Sequence, residues 1–265
     1  MTHIVDRGSG APLVLVPGLQ GRWEYMRPAV EALARSFRVL TFPLCGEPAA
    51  RLRFDPSRGL DNFADQILGV LDDRQIDRAV ICGVSFGGLA ALRFAATHPD
   101  RTASLILVST PGPLWHLRKR HLMYARAPWL FGPVFLAETP GRLRKEIGVA
   151  LPRAGDRWRF TRSQIRAFLA APLSVTRMAE RARLISAIDR VADCRSVAAP
   201  TLIVTGEPGL DHVVQVDGTS RYLEFIPNAR AAMLEGTGHL GSITKPQAFA
   251  EVVRRFVMEE HHAAA

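Results

Sequence analysis

Lysine is nearly missing from this 265-residue chain. Lys119, Lys145 and Lys245 are its only three, so almost all of its 34 basic residues are arginine. Cysteine is as scarce. Cys45, Cys82 and Cys194 are odd in number and widely spaced, which excludes a disulfide framework and a cysteine-built metal site. Cys82 falls inside an apolar run and reads as a small buried hydrophobe. Long hydrophobic runs are absent too. The longest apolar stretch outside the strand-like runs, residues 127–137, holds Pro128 and Pro133 and falls short of the roughly 20 apolar residues a spanning helix needs. The first ten residues are polar, with no apolar leader. There is no H-x-x-H pair or cysteine cluster for a metal, and no glycine-rich phosphate-binding pattern for a nucleotide. These absences predict a cytoplasmic protein without metal or cofactor.

What is present is apolar side chain, 48% of the chain, enough at this length for one large α/β domain with or without an insertion. The net charge of +9 is unevenly distributed. Residues 113–190 carry 16 basic and 5 acidic side chains, while the rest of the chain carries 18 and 20, so the whole positive excess lies in one segment.

Short apolar runs alternate with stretches of helical period. Strands are expected over 12–16, 37–42, 79–82, 105–108, 201–205 and 231–234, and helices over 23–35, 60–71, 86–98 and 246–258. Alternation of this kind predicts an α/β fold, a mostly parallel twisted sheet with helices on both faces. It breaks between Pro111 and Pro200, where no strand pattern appears and helices are expected over 115–126, 139–149, 163–170 and 174–191. A break of that length is too long for a loop in a compact domain. We therefore expect a core built from residues 1–112 and 196–265 and an all-helical, arginine-rich cap over 113–195.

Gly83-Val84-Ser85-Phe86-Gly87 joins a short apolar strand to a helix. A serine on so sharp a turn is held in strained backbone, its hydroxyl lifted above the sheet, and glycines on either side let strand and helix approach. On this motif the chain resembles the α/β-hydrolase superfamily over nearly its whole length, the cap least closely. Serine at this position argues against the relatives that use aspartate there, the dehalogenases and epoxide hydrolases.

The resemblance implies the chain order serine, acid, histidine. Gly236-Thr237-Gly238-His239, between the last strand and the last helix, is similar to the family's histidine turn. It makes His239 the candidate general base for Ser85. Asp211, followed by His212-Val213-Val214, is similar to the family's acid turn with two extra residues, and would orient the imidazole. Glu207 and Asp217 in the same loop are the alternatives. Backbone amides of Phe86 and Leu19 are the expected oxyanion donors. Leu19 follows Pro17-Gly18, where relatives carry histidine in place of the proline. Gln20 is either an added donor or a solvated loop residue.

The cap of such relatives shapes the substrate pocket. Its apolar blocks, with Trp115 and Trp129 among them, suggest a hydrophobic acyl or aryl group. Trp23 of the core either lines the acyl pocket or packs helix on sheet. The arginines imply either an anionic small molecule, acyl-carrier or phospholipid contact, or a solvated helical surface. Nothing resembles a nucleic-acid module. The expected activity is hydrolysis of carboxylic esters of small to medium hydrophobic substrates through an acyl-enzyme. A thioesterase, carbon–carbon bond hydrolase, acyltransferase or cofactor-free perhydrolase would use the same residues, and a ligand-binding module could retain them.

Overall fold

The fold is that of a computed structural model, which describes residues 3–187 and 189–264. Among the described residues seven strands are formed, β1 (Val5–Arg7), β2 (Ala11–Val16), β3 (Phe37–Thr41), β4 (Ala79–Val84), β5 (Thr102–Val108), β6 (Thr201–Thr205) and β7 (Ala229–Met233). They lie in the order β1-β3-β2-β4-β5-β6-β7, with β1 antiparallel to β3 and every other pairing parallel. The helices are α1 (Arg27–Leu33), α2 (Asp61–Asp73), α3 (Phe86–Thr97), α4 (Lys119–Arg126), α5 (Pro128–Ala150), α6 (Ala154–Ala170), α7 (Val175–Ala187) and α8 (Arg190–Ser196). After β6 come α9 (Val216–Ser220) and α10 (Tyr222–Phe225), and after β7 α11 (Gly241–Thr244) and α12 (Pro246–Ala264).

The continuous apolar runs are buried because both faces of the sheet are covered. Side chains alternate between two cores with period two. Val14, Ile81, Leu105 and Ile203 point into the layer formed by α2, α3 and α8, while Leu15, Cys82, Ile106 and Leu202 point into the layer of α1 and α12. The free thiol of Cys82 is fully buried, as its run predicts. Burying a Leu- or Ile-sized side chain contributes about 1.5–3 kcal/mol, so these central strands form the rigid base on which the loops at their C-terminal ends are placed. No helix among the described residues is long and apolar enough to cross a membrane.

The helical insertion lies between β5 and β6 and covers the C-terminal edge of the sheet as a cap. Its internal divisions differ from expectation. The helix expected over 139–149 begins at Pro128 and runs through Pro133 and Pro140. An interior proline costs a helix about 3 kcal/mol or more. Here the inward face of α5 packs on α7, Gly132 against Val175 for instance, and that tertiary contact offsets the penalty. The helix expected over 174–191 is two helices, α7 and α8, and includes Ile188, which lies outside the described residues. Asp189 starts the second by accepting from the Val191 and Ala192 amides at 3.0 and 3.3 Å, an N-cap that needs a fresh helix start. Strand β1 is an addition. A three-residue edge strand with one buried apolar residue, Val5, ahead of exposed Asp6 and Arg7 carries too short a pattern by which to read it.

Candidate active site

Ser85 sits between β4 and α3 with φ 56° and ψ −120°, a region that costs a non-glycine residue about 1–3 kcal/mol. The packing around it enforces that geometry. A Cβ on Gly83 would lie 2.2 Å from the Gly87 carbonyl oxygen, and one on Gly87 would lie 2.3 Å from the Val16 carbonyl oxygen. Neither position tolerates a side chain, so strand and helix close tightly and the serine is turned outward. Phe86 anchors the helix start, its ring fully buried edge-on against Phe63 at 5.2 Å.

His239 reaches this serine from the loop after β7. Its Nε2 is 3.1 Å from Ser85 Oγ, and its Nδ1 is 3.1 Å from Asp211 Oδ2. An ionised carboxylate only accepts, so Nδ1 carries the proton toward Asp211 and Nε2 is left to accept from the serine hydroxyl. Asp211 is itself held. Its Oδ1 accepts from the Val213 and Val214 amides at 2.9 and 2.8 Å, which is the local meaning of the Val-Val that follows it. Burial pushes the Asp211 carboxyl up, but the His239 ring and the two amides outweigh it and hold the group below its ordinary value. Burial pulls the His239 ring down, and the Asp211 carboxylate, with a further contribution from Glu146, carries it above its ordinary value. Glu207 does not approach the ring. Its Oε1 accepts from the Gly236 amide at 2.5 Å and secures the entry to the histidine loop. Asp217 lies in the first turn of α9.

The turn after β2 closes with the Gly21 amide donating to the Gly18 carbonyl at 2.9 Å. Among the described residues it leaves the Leu19 amide without an acceptor. The Phe86 amide, first in its helix, has no intrahelical acceptor either. Leu19, Phe86, Ser85 and His239 all border one cavity of about 250 Å³. The turn is gripped from the cap. Arg181 of α7 donates to the Leu19 carbonyl at 3.0 Å and to Glu47 Oε1 at 2.6 Å, and Arg177 lies 3.1 Å from the other oxygen of Glu47. Arg181 and Glu47 are both almost fully buried.

The cavity is roofed by the inward stripe of α5, Gly132, Phe135, Leu136, Thr139, Arg142 and Leu143, whose spacing of three and four is that of one helix face. Gln20 and Trp115 border it. Trp23 takes the second of its two expected roles, and the expectation for Trp129 is corrected. Trp23 is packed against the sheet beside α1 with the Arg27 guanidinium 5.5 Å from its ring, away from the cavity. Trp129 is 77% exposed and points to solvent, because the inward stripe of α5 falls on its neighbours at 132, 135 and 136.

Of the cap arginines only Arg142 lines the cavity among the described residues, and it is ion-paired to Glu138. Arg190 is buried and donates to the carbonyls of Pro113 at 3.2 Å, Ile185 and Trp115. Arg181 and Arg190 thus form part of the framework, an outcome covered by neither of the roles expected for cap arginines. Sequence reasoning missed Glu47, Arg181 and Glu146. The signal for the last was the α5 stripe itself, which continues from Leu143 to Glu146 once it is read through the prolines.

A parallel sheet with a serine elbow, a histidine within reach and a helical cap defines the α/β-hydrolase class. The family described as "Alpha/beta hydrolase family" matches residues 13–252, and this chain belongs to it. Among curated relatives, 2-hydroxymuconate semialdehyde hydrolase of Pseudomonas sp. (strain CF600) is 26% identical over 273 residues, covering 99% of this chain and 92% of its own. Among solved structures, the enol-lactonase from Burkholderia xenovorans LB400 superposes with a TM-score of 0.75 at 22% identity, covering 97% of this chain and 96% of that one. MenH from S. aureus superposes at 0.76 with 20% identity, over 98% and 100%. At such identities the two structures speak for the fold alone.

Proposed function

We propose that this protein is a serine hydrolase that cleaves carboxylic esters of small to medium hydrophobic substrates through an acyl-enzyme. The observation that carries this reading is the continuous pair of 3.1 Å contacts from Ser85 Oγ to His239 to Asp211 at the base of a largely apolar cavity. In this reading His239 removes the hydroxyl proton as Ser85 attacks the ester carbonyl. The Leu19 and Phe86 amides receive the charge that develops on the carbonyl oxygen, a contribution of about 3–4 kcal/mol for a single donor. His239 then protonates the departing alcohol and activates water for deacylation. Asp211 holds the tautomer and balances the imidazolium.

The cavity sets a scale. An apolar cavity of about 150 Å³ accommodates benzene, so 250 Å³ suits an acyl or aryl group of about ten non-hydrogen atoms. The test is a fluorophosphonate probe and a panel of p-nitrophenyl esters of increasing chain length. Wild type should label at Ser85 and prefer short to medium acyl chains. Failure of the folded protein to label, or equal turnover by Ser85→Ala, removes the proposal.

A second reading draws on Arg142 and on the printed activity of the semialdehyde hydrolase relative. It is hydrolysis of a carbon–carbon bond in a substrate with an anionic end. Arg142 has an acidic partner in Glu138 and stands 3.4 Å from His121 Nε2, so its charge is only partly available to a ligand. If the anionic substrate is correct, Arg142→Leu raises KM for a carboxylate-tailed substrate about tenfold and leaves neutral esters within about twofold.

A further inference from the structure

The cavity-facing stripe of α5 ends on a carboxylate. Glu146 is 1% exposed and stands one turn beyond Leu143. Its Oε1 accepts two hydrogen bonds from the core, from the Gly238 amide at 2.9 Å and from the Leu240 amide at 2.5 Å. These are the two amides that flank His239. The neighbouring Lys145 donates to the Gly209 carbonyl at 3.2 Å, in the loop that carries Asp211. One turn of a cap helix therefore holds both loops that bring the acid and the base together.

A buried carboxylate is a costly way to fill space, since its desolvation amounts to several kcal/mol and is offset only where hydrogen bonds satisfy it. A Met or Leu would fill the same volume without that cost. What an apolar residue cannot do is accept from two amides two positions apart. With the 238 and 240 amides tied to a single oxygen, the backbone at His239 is fixed on both sides, and the ring has little freedom to swing out of line with Ser85. The Glu207 amide also holds the peptide before Gly238, donating to the Thr237 carbonyl at 2.8 Å, but the amide on the far side of His239, that of Leu240, is held by Glu146. Glu207 holds Gly236, further upstream, and Lys245 donates to the Glu235 carbonyl.

We propose that Glu146 is a positioning residue by which the cap holds the catalytic base, so that seating of the cap and alignment of His239 with Ser85 are one event. This rests on the reading of His239 as general base. The charged and titratable groups that face the ring are Asp211 on Nδ1, Ser85 on Nε2 and Glu146 behind the loop. Burial pushes the Glu146 carboxyl up while the two amides and the imidazole draw it back. Its negative charge adds to that of Asp211 in favouring the protonated ring. The geometric and electrostatic contributions are separable. Gln keeps an acceptor oxygen and loses the charge, Ala loses both, and Met fills the space with neither.

The experiment uses the full chain as wild type, Glu146→Ala, Glu146→Gln, Glu146→Met and Tyr25→Phe. The last removes a different cap-to-core bond, from the Tyr25 hydroxyl to the Ala171 carbonyl at 2.8 Å. Three quantities are read: kcat and KM on a p-nitrophenyl ester, the rate of fluorophosphonate labelling, and the low-field proton resonance of His239 Nδ1–H. Glu146→Ala, or Glu146→Met should Ala not fold, is expected to lower kcat and labelling about 10–100-fold with KM within about threefold, the pattern of a misplaced base. Glu146→Gln should recover most of that loss and move the acid limb of the pH profile to lower pH. Tyr25→Phe should leave kcat within about twofold. A folded Ala or Met variant that keeps wild-type kcat and labelling overturns the proposal. So does equal impairment of the Gln and Ala variants, or an equal loss in Tyr25→Phe, which would make the effect one of cap docking in general. If wild type itself neither labels nor turns over, the serine-hydrolase reading fails separately. The resonance still decides, since its presence in wild type and Gln and its loss in Ala support Glu146, and an unchanged signal in all three refutes it.

Discussion

Ser85 Oγ and His239 Nε2 lie 3.1 Å apart although 154 positions separate them in the chain. The serine stands on a backbone that no ordinary residue prefers. Replacing it with glycine, which populates positive φ readily, should therefore stabilise the fold. The strain is about 1–3 kcal/mol, and the extra chain entropy of glycine takes back about 0.5–1 kcal/mol. The expected result for Ser85→Gly is a Tm raised by about 2–4 °C with no esterase activity. Ser85→Ala should lose about four to six orders of magnitude in kcat without that gain in stability. A scan showing Ser85→Gly less stable than wild type would remove the strain from the account.

Asp211 and Glu207 leave the same loop for different tasks, one toward the ring and one toward the Gly236 amide. Asp211→Asn keeps the shape and presents a donor where Nδ1–H needs an acceptor. It should lower kcat about 10⁴-fold. Glu207→Gln retains an acceptor for the amide and should stay within about fivefold. Steady-state kinetics on one ester, with both variants at matched folding, checks the pair.

The charge on Asp211 makes the His239 imidazolium harder to deprotonate, and in the proposed mechanism the ring must be neutral to act as base. Activity should therefore rise with pH through a midpoint above the ordinary imidazole value of about 6.5. In Asp211→Asn the residual activity should show that limb at lower pH. Stability follows the same pair with opposite senses. The raised His239 contributes below its unfolded value and that contribution is lost as pH rises through its folded one. The lowered Asp211 contributes above its unfolded value of about 3.9 and is lost as pH falls through its folded one. Urea unfolding from pH 3 to pH 9 for wild type and Asp211→Asn reads both.

Arg181 and Glu47 form a buried ion pair between cap and core that also carries the Leu19 carbonyl. Glu47→Gln leaves a buried guanidinium unmatched and should destabilise by about 3–5 kcal/mol. The apolar double variant Arg181→Met/Glu47→Leu should recover most of that stability. It should not recover kcat, because the turn that presents the Leu19 amide has lost its support. Chemical denaturation and kinetics on the same three proteins separate the two effects.

The turn that carries Ser85 was legible in the sequence because its motif is contiguous. A strand, a glycine-flanked serine and a helix follow one another, so the motif can be read in one stretch, although the Val16 carbonyl that crowds Gly87 comes from a different strand. The Asp211 turn is local in the same way, its carboxylate accepting from the amides two and three residues on, whereas the histidine turn is contiguous in sequence but its amides are held by Glu207 and Glu146 from elsewhere in the chain. Residues on the cap were less legible. Trp129 and Phe135 are equally apolar and lie on one helix, and composition alone does not say which faces inward. Two prolines hid the period of α5 that would have decided it and placed Glu146 on the inward face.

The sequence by itself therefore determined the alternating strands and helices, the helical insertion and the serine turn, since each follows from spacing and turn chemistry. His239 and Asp211 are what the family resemblance implies, with Glu207 and Asp217 left open, and it is the tertiary structure that brings Asp211 to the ring. Only the tertiary structure decided that the arginine surplus includes buried supports such as Arg181 and Arg190, and that Glu146 and Arg181 grip the loops on either side of Ser85. Those assignments depend on which face of a cap helix meets the core. Packing between elements far apart in the chain sets that, through the burial of whole side chains, and no local preference encodes it.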